Sequence, residues 1–179
     1  LPVSGAFDYS PVLANPTLRH ISRLLDLPLH GDPGASQRII HHIQLGAASS
    51  QKVIDLLEES TLLITTSSRD ELIVSLSSLY HIPAYRMKIA GLVIPGHAPV
   101  SPITQQILDA SGIPYIRILA STAETFSTIS GHTSKIGAED DEKIALIRSQ
   151  AEKVIDFDRV ERLVCGNGAA RESGLASVA

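Results

Sequence analysis

Short continuous apolar runs alternate along this chain with segments in which apolar residues recur at helical spacing. Runs rich in branched side chains and closed by turn-forming residues are typical of buried strands. The clearest runs predict strands at 61–66, at 113–119, and from Ile89 to the Pro95-Gly96 pair. Weaker runs predict a short strand at 27–30 and a strand or short helix at 38–45.

Segments with apolar residues three and four positions apart predict helices between these runs. Capping residues, glycines and prolines set their expected bounds, which are 18–25, 50–58, 68–81, 102–111, 121–129 and 138–155. Two helix starts, Ser68 with Glu71 and Ser121 with Glu124, have the Ser-x-x-Glu spacing of a capping box. In that motif each side chain bonds the backbone N–H of the other residue.

The alternation of strands and helices indicates the α/β class, as a three-layer α/β/α domain with a mainly parallel sheet. The 179 residues suit one ordinary domain. We expect an irregular N-terminal arm within 1–35, the main domain at 36–165, and a mobile tail at 166–179. Because the chain begins with Leu1 and not Met, we expect it to be a trimmed piece of a longer protein.

Composition argues against several functional classes. The net charge is −4, only 4% of residues are aromatic and Trp is absent, so nucleic-acid binding is not expected. The single Cys165 can form no internal disulfide, which favours a reducing compartment. No apolar window is long enough for a membrane helix and no signal peptide is visible, so we expect a chain without membrane insertion.

The strongest candidate chemistry lies at the ends of two predicted strands. In Thr65–Asp70, hydroxyl groups, one cation and a helix start come together, a combination suited to phosphate or carboxylate. The alternative is that the hydroxyls only cap the helix while Arg69 pairs with Asp70 or Glu71. The loop that contains His97 follows the strand from Ile89, at the edge where open α/β sheets bind ligands.

Several familiar motifs are absent from the sequence. It contains no phosphate-binding loop, no G-x-G-x-x-G and no G-x-S-x-G nucleophile elbow. The seven His residues lack metal-ligand spacing, so we expect no metal, no cofactor and no catalytic residue. The expected ligand-binding residues are Thr66, Ser67, Ser68, Arg69, Asp70, Gly96, His97, Ser101 and Thr122.

Five stretches together resemble the DRTGG domain, with the similarity covering roughly residues 36 to 145. They are Thr61–Leu79, Gly91–Gly96, Ile107–Tyr115, Thr122–Thr125 and Lys135–Lys143. That domain is known from long bacterial phosphate acetyltransferases, between a P-loop domain and the catalytic domain, and from regulated pyrophosphatases with CBS domains. Residues 18–32 look like the end of the P-loop domain. The whole chain is similar to stand-alone phosphotransacetylase-family proteins of cyanobacteria and their relatives.

The match to the naming motif of the family is partial. Where the family has Gly-Asp-Arg, this chain has Ser67-Ser68-Arg69, and where it has Thr-Gly-Gly, this chain has Pro95-Gly96-His97. An acidic group and a second glycine are therefore missing from two loops that would face each other.

The resemblance implies a homodimer and a non-catalytic regulatory role, in which a small anionic metabolite or nucleotide binds between 66–70 and 95–101. One alternative is a dimerisation or assembly subunit without a ligand. Another is an accessory part of an acyl- or phosphoryl-transfer enzyme. The expected location is a bacterial cytoplasm or a plastid stroma.

Overall fold

The computed structural model describes residues 10–132, 136–138 and 140–165. The predicted mobile tail, 166–179, lies outside them, as do residues 1–9 of the N-terminal arm and part of the Lys135–Lys143 stretch. The described chain divides into two compact units. One is Pro11–Glu142, and the other holds the C-terminal helical region from Lys143 onward. The domain boundaries expected from the sequence remain predictions.

A parallel sheet of four strands forms the centre of the first unit. The strands are β1 (His42–Leu45), β2 (Thr61–Ile64), β3 (Ile89–Pro95) and β4 (Tyr115–Ile118), in the order β1-β2-β3-β4. Every neighbouring pair is parallel. The sheet and the strands at 61–66, 89–95 and 113–119 are confirmed, with slightly shorter bounds for the first and the last. The weaker run at 38–45 contains β1, so its strand alternative is the correct one.

Eight α-helices are described. They are α1 (Leu18–Leu25), α2 (Ser50–Asp55), α3 (Asp70–Leu79), α4 (Pro83–Lys88), α5 (Pro102–Ser111), α6 (Thr122–Ser130), α7 (Asp141–Val154) and α8 (Phe157–Cys165). The sequence did not predict α4 or α8. Pro83, expected only to stop the preceding helix, also starts α4, because its fixed φ suits the first turn of a helix.

Helices cover both faces of the sheet, which confirms the three-layer α/β/α class. Because the strand order is sequential and parallel crossovers share one hand, the connecting helices α2, α3 and α5 lie on the same face. Val53, Leu72 and Leu108 from these helices form one core with Leu63 and Leu92 of the sheet.

The opposite face of the sheet is covered by α1, which precedes the four strands, and by α6, which follows β4. Leu18 and Ile21 of α1 and Ile129 of α6 form the second core, with Leu62 and Val93. The two central strands, β2 and β3, are therefore buried on both sides, as their continuous apolar runs predict.

Capping residues at the helix ends explain why most of the predicted helix boundaries are correct. The Thr17 hydroxyl accepts from the N–H of His20 at 3.2 Å, and Gly112 ends α5 with a φ of 69°. The predicted capping box of Ser121 and Glu124 is confirmed, with both reciprocal bonds present.

Two predictions are wrong. The segment 27–30 is not a strand, since only His30 pairs, in one antiparallel bridge with Tyr115. The capping box at Ser68 does not form, because Ser68 bonds Thr66 and the Glu71 carboxylate bonds Arg69. As a result α3 starts at Asp70 without a side-chain cap.

Candidate functional site

Four loops leave the carboxyl ends of the four parallel strands and lie at one edge of the sheet. The sequential strand order contains no reversal, so it provides no crevice of the kind that forms where strand order changes direction. A site at this edge must instead be built by the loops and by the helix starts that follow them.

Arg69, which follows β2, holds the loop after β1. Its Nη1 donates to the carbonyl oxygens of Gly46 at 2.8 Å and Ala48 at 2.7 Å. Its Nη2 donates to Ser50 Oγ at 3.3 Å, and its Nε to Glu71 Oε1 at 2.8 Å. The guanidinium is therefore occupied by protein acceptors.

The Glu71 carboxylate balances the charge of Arg69 on the exposed side. Its hydrogen bond from Arg69 is the largest cause that lowers the pKa of Glu71 below its usual range. Ser50 adds a weaker contact at 3.4 Å. The alternative interpretation of Arg69, as the partner of a neighbouring carboxylate, agrees with this geometry.

The loops after β2 and β3 touch each other, as expected for the two halves of the family motif. The N–H of Ser67 donates to the carbonyl of Pro95 at 3.0 Å. Gly96 has a φ of 129°, and a Cβ at this position would lie 2.7 Å from Ser67 Oγ. Only glycine combines this left-handed backbone with so close an approach.

Arg117 of β4, which the sequence analysis missed, holds the loop after β3. Nη1 donates to the carbonyls of Ile94 and Ile118 at 2.7 Å, and Nη2 to those of Gly96 at 2.6 Å and Ala98 at 2.7 Å. Burial lowers the pKa of Arg117. The feature of the sequence that could have indicated this role was a charged residue inside an apolar strand.

His97 and Ser101 lie elsewhere on the loop after β3. His97 is exposed, and it helps to lower the pKa of Glu124, after the larger effect of the hydrogen bonds from Ser121. Ser101 caps α5, since its Oγ accepts from the N–H of Thr104 at 3.3 Å. His97 and Arg69 thus interact with different elements.

A pocket of about 290 Å³ opens at the ends of β1 and β2. Its wall is formed by Leu45, Gly46, Ala47, Ile64, Thr65, Thr66, Arg69 and Thr122. Three of the nine predicted residues therefore line it together, namely Thr66, Arg69 and Thr122. Because Thr122 begins α6, the segment after β4 must cross the sheet edge to reach β1 and β2.

The small and apolar residues of this wall were not predicted as site residues. Leu45 ends the edge strand β1, and Gly46 and Ala47 follow it. None of the three carries a reactive group, so only their position at a strand end could have indicated a role. Thr65 was part of the polar stretch at the strand end but was not among the nine residues.

Two polar side-chain atoms at this edge lack a hydrogen-bond partner. Thr65 is only 1% exposed, and its Oγ1 is unpaired. Asp70 Oδ1, at the first residue of α3, is likewise buried and unpaired. A buried polar atom without a partner is costly in a folded protein, so each such atom calls for an explanation. Thr65 lines the pocket, but its Oγ1 has almost no accessible surface.

Metal-binding clusters and membrane-spanning helices are both absent from the described chain. Within residues 10–132, 136–138 and 140–165, no group of three or more His, Cys, Asp or Glu side chains could hold a metal ion. None of the helices described is long and apolar enough to cross a membrane.

The fold and the loops at the strand ends define the class of the chain, which is an α/β domain with a parallel sheet. The family model of the DRTGG domain matches residues 28–132, and the chain belongs to this family. The resemblance seen in the sequence is thereby confirmed at the level of the DRTGG domain. No curated protein matches the chain.

One solved structure similar to the chain contains the CBS and DRTGG domains of the regulatory region of Clostridium perfringens pyrophosphatase. That region was crystallised with its activator, diadenosine tetraphosphate. The sequences are 12% identical over 82% of this chain, and the TM-score is 0.48. The match spans 66% of the length of the pyrophosphatase chain.

Proposed function

We propose that this chain is a non-catalytic regulatory domain that senses a small anionic metabolite or a nucleotide at the carboxyl edge of its sheet. Membership in the DRTGG family supports the regulatory role, because the resemblance to that family implies such a role. The proposed binding residues are the pocket residues Thr66, Arg69 and Thr122. The neighbouring Ser67, Ser68, Asp70, Gly96, His97 and Ser101 support or border the same edge.

The observation that carries this proposal is the pocket itself, in which residues from the ends of β1 and β2 and from the start of α6 come together at the carboxyl edge of the sheet. The half-buried wall residues Thr66 and Thr122 carry hydroxyl groups, which can both donate hydrogen bonds to a ligand and accept them from it. Binding there would also join the loops after β1 and β2 to the start of α6. A ligand could therefore change the relative stability of three segments at once, which is what a sensor requires.

Thermal unfolding of the purified chain tests the proposal. The panel is ATP, ADP, AMP, acetyl-coenzyme A, acetyl phosphate, pyruvate and NADH. A ligand that binds only the folded state adds about 2.7 kcal/mol of stability at a hundredfold excess over its Kd. At least one compound is expected to raise the melting temperature.

A matched pair of variants then locates the site. Ala47 lines the pocket and Ala48 does not, although both are exposed. The substitution Ala47→Phe should fill the mouth of the pocket and abolish the ligand-induced shift, while Ala48→Phe should keep it. A panel that leaves the melting temperature unchanged throughout would refute ligand sensing by these compounds.

Dimerisation is a further part of the proposal, and an exposed apolar face on α8 favours it. Phe157 is 54% exposed, Leu163 48% and Val164 71%. Their spacing places them on one side of the helix with Val160. We propose that two chains pair through this face. Sedimentation should show a dimer that Leu163→Glu converts to a monomer, whereas Arg162→Glu should preserve it.

The same experiments separate the regulatory proposal from the structural alternative. A dimer whose melting temperature is unchanged by every compound of the panel would favour an assembly subunit without a ligand. A monomer at all accessible concentrations would contradict both dimeric proposals.

We also propose that the chain is related to the stand-alone phosphotransacetylase-family proteins of cyanobacteria, and that it works in a cytoplasm or a plastid stroma. Only the sequence resemblance supports these two points. Acetyl transfer between acetyl phosphate and coenzyme A is expected to stay at background with the purified chain. Measurable turnover would instead favour the enzymatic alternative.

A further inference from the structure

We infer that the pocket at the ends of β1 and β2 takes a short aliphatic monocarboxylate, whose carboxylate is held by the Arg69 guanidinium and by the hydroxyls of Thr66 and Thr122. This inference rests on the proposed function and deepens it. Of the two ligand classes proposed above, it selects the small anionic metabolite over the nucleotide. It also assigns an alkyl chain of a few carbon atoms to the apolar part of the wall.

The guanidinium of Arg69 still has a donor for a ligand. Nη1 uses both of its N–H groups on the carbonyls of Gly46 and Ala48, and Nε uses its single N–H on Glu71. Nη2 has two N–H groups, and Ser50 Oγ accepts from it at 3.3 Å, the longest of these four bonds. Because a guanidinium has five N–H donors, one N–H of Nη2 remains for an anion. A hydrogen bond between two charged groups is stronger than one between neutral groups.

Two hydroxyl groups of the wall can add hydrogen bonds to the same anion. Thr66 and Thr122 are half-buried and line the pocket. The Thr66 hydroxyl lies 3.0 Å from Ser68 Oγ, and either oxygen can be the donor. The Thr122 side chain forms no hydrogen bond with any residue that the structure describes. With the remaining N–H of Arg69, the pocket therefore offers up to three donors, which suits the two oxygens of one carboxylate.

The charge at the pocket suits an anion with a single negative charge. Arg69 is the only charged residue among the eight that line it. The Glu71 carboxylate lies 2.8 Å from Arg69 Nε and offsets part of this charge, but its side chain is 60% exposed, so water and salt screen it. One partly offset cation favours a monoanion over a phosphate dianion or a polyphosphate chain.

The accessible apolar wall suits an alkyl chain. Leu45 is 40% exposed, Ala47 is also exposed, and both line the pocket. None of the eight wall residues is aromatic, so the wall offers no ring on which a nucleobase could stack. The pocket volume is about 290 Å³. This volume is near the lower end of the range for small-molecule pockets, which fits a ligand of a few carbon atoms.

NMR titration of the backbone amides of the full chain tests this inference, because it detects weak binding and locates it. The probes are acetate, propionate, butyrate and pentanoate, the uncharged analogue butyramide, inorganic phosphate and AMP. Affinity should rise about threefold to fourfold with each methylene that enters the pocket. Butyramide should bind about tenfold more weakly than butyrate, because it lacks the charge. Shift changes should concentrate at residues 45–47, 66–69 and 122.

Thr122→Val locates the carboxylate. Valine has nearly the same shape as threonine but no hydroxyl, so butyrate affinity should fall about tenfold, the effect of a hydrogen bond to a charged group. Thr128→Val is the matched control, since Thr128 is exposed on the same helix and does not line the pocket. It should leave affinity unchanged. Thr122→Ser keeps a hydroxyl and should retain binding, which covers the case in which the valine variant does not fold.

Leu45→Ala locates the alkyl chain. The variant removes apolar wall, so butyrate should bind more weakly while acetate binding changes little, and the gain per methylene should shrink. Leu56→Ala is the matched control, because Leu56 is 53% exposed and lies outside this pocket. It should preserve the full dependence on chain length.

Each outcome decides between the proposals. Carboxylate binding that strengthens with chain length and is weakened by Thr122→Val but not by Thr128→Val supports the inference. Binding of phosphate or AMP without any carboxylate overturns it and leaves the proposed function standing. Carboxylate binding that does not depend on chain length, or that Thr122→Val does not weaken, also overturns it. A lack of binding by every probe here and in the unfolding panel overturns both.

Discussion

Two arginines hold two loops at the same edge of the sheet, and the comparison between them separates loop support from ligand binding. Arg69 donates to carbonyls of the loop after β1, and Arg117 donates to carbonyls of the loop after β3. Each arginine thus satisfies backbone oxygens that would otherwise lack partners at a strand end.

The two sites differ in charge balance and in surroundings. Arg69 forms an ion pair with Glu71 and lines the pocket, whereas Arg117 forms no ion pair with any described residue, and burial lowers its pKa. From sequence, Arg69 looks like a ligand-binding residue because hydroxyls surround it, and Arg117 looks like part of a strand. Their shared role shows that a cation at a strand end can bond the protein's own carbonyl oxygens instead of a ligand.

The largest effect is expected for Arg117→Met. Methionine keeps the apolar stem but removes four hydrogen bonds, two to the carbonyls of Gly96 and Ala98 in the loop and two to those of Ile94 and Ile118 in the strands. We expect a loss of about 3 kcal/mol in the free energy of unfolding, measured with urea. The control is Arg148→Met, because Arg148 is exposed. That variant should change stability by less than about 0.5 kcal/mol. A loss below about 1 kcal/mol at Arg117 would show that water replaces the guanidinium without cost.

The next largest loss of stability is expected from replacing a glycine, and the two loops each offer one glycine for comparison. Gly96→Ala must place a Cβ 2.7 Å from Ser67 Oγ on a backbone with a φ of 129°. We expect this variant to lose about 2 kcal/mol of stability. Gly46 has no positive φ, and its Cβ would lie 3.0 Å from Leu72 Cδ2. Gly46→Ala should therefore cost about 1 kcal/mol. Equal losses in urea unfolding would mean that backbone conformation does not distinguish the loops.

Arg69→Met should have a smaller effect than Arg117→Met. The carbonyl of Ala48 and the carboxylate of Glu71 are exposed, so water can replace part of what the guanidinium provides. We expect a loss of about 1 to 2 kcal/mol, with faster amide hydrogen exchange confined to residues 46–50. Uniformly faster exchange over the whole sheet edge would contradict a role limited to this loop.

The contrast between Ser121 and Ser68 shows what a sequence motif can predict. Both begin a Ser-x-x-Glu motif, but only the box at Ser121 forms. At Ser68, the glutamate has a rival partner in Arg69, and the serine has one in Thr66. A local motif therefore holds where no stronger partner lies nearby, and the sequence does not reveal which partner is stronger.

The fold was more predictable than the site for a related reason. Burial on both faces gives the central strands β2 and β3 continuous apolar runs, and crossover handedness then fixes where the helices lie. The pocket instead depends on how Thr122 reaches across the edge to Ala47 and Thr65, residues from three separate segments. Proximity between residues far apart in the chain cannot be predicted from the spacing of residues in the sequence. The positions of the carbonyl groups that accept from Arg117 cannot be predicted from it either.

The smallest effect is a pH dependence that should distinguish the two arginines. The pKa of Glu71 is lowered in the folded state from its usual 4.5, mainly by the hydrogen bond from Arg69. A lowered carboxyl pKa contributes stability above the unfolded value and loses it as the pH falls through the folded value. Glu71→Gln should therefore lose less stability than the parent between about pH 5 and pH 3.

The double variant with Arg69→Met makes this test specific. In that background the largest cause of the lowered pKa is gone, so Glu71→Gln should alter the acid dependence measured by urea unfolding much less than it does in the parent. In the Arg117→Met background the difference should persist in full, because no described carboxylate pairs with Arg117. If Glu71→Gln changed the acid dependence equally in both backgrounds, the ion pair with Arg69 would not be its source, and the charge balance that separates the two arginines would have to be abandoned.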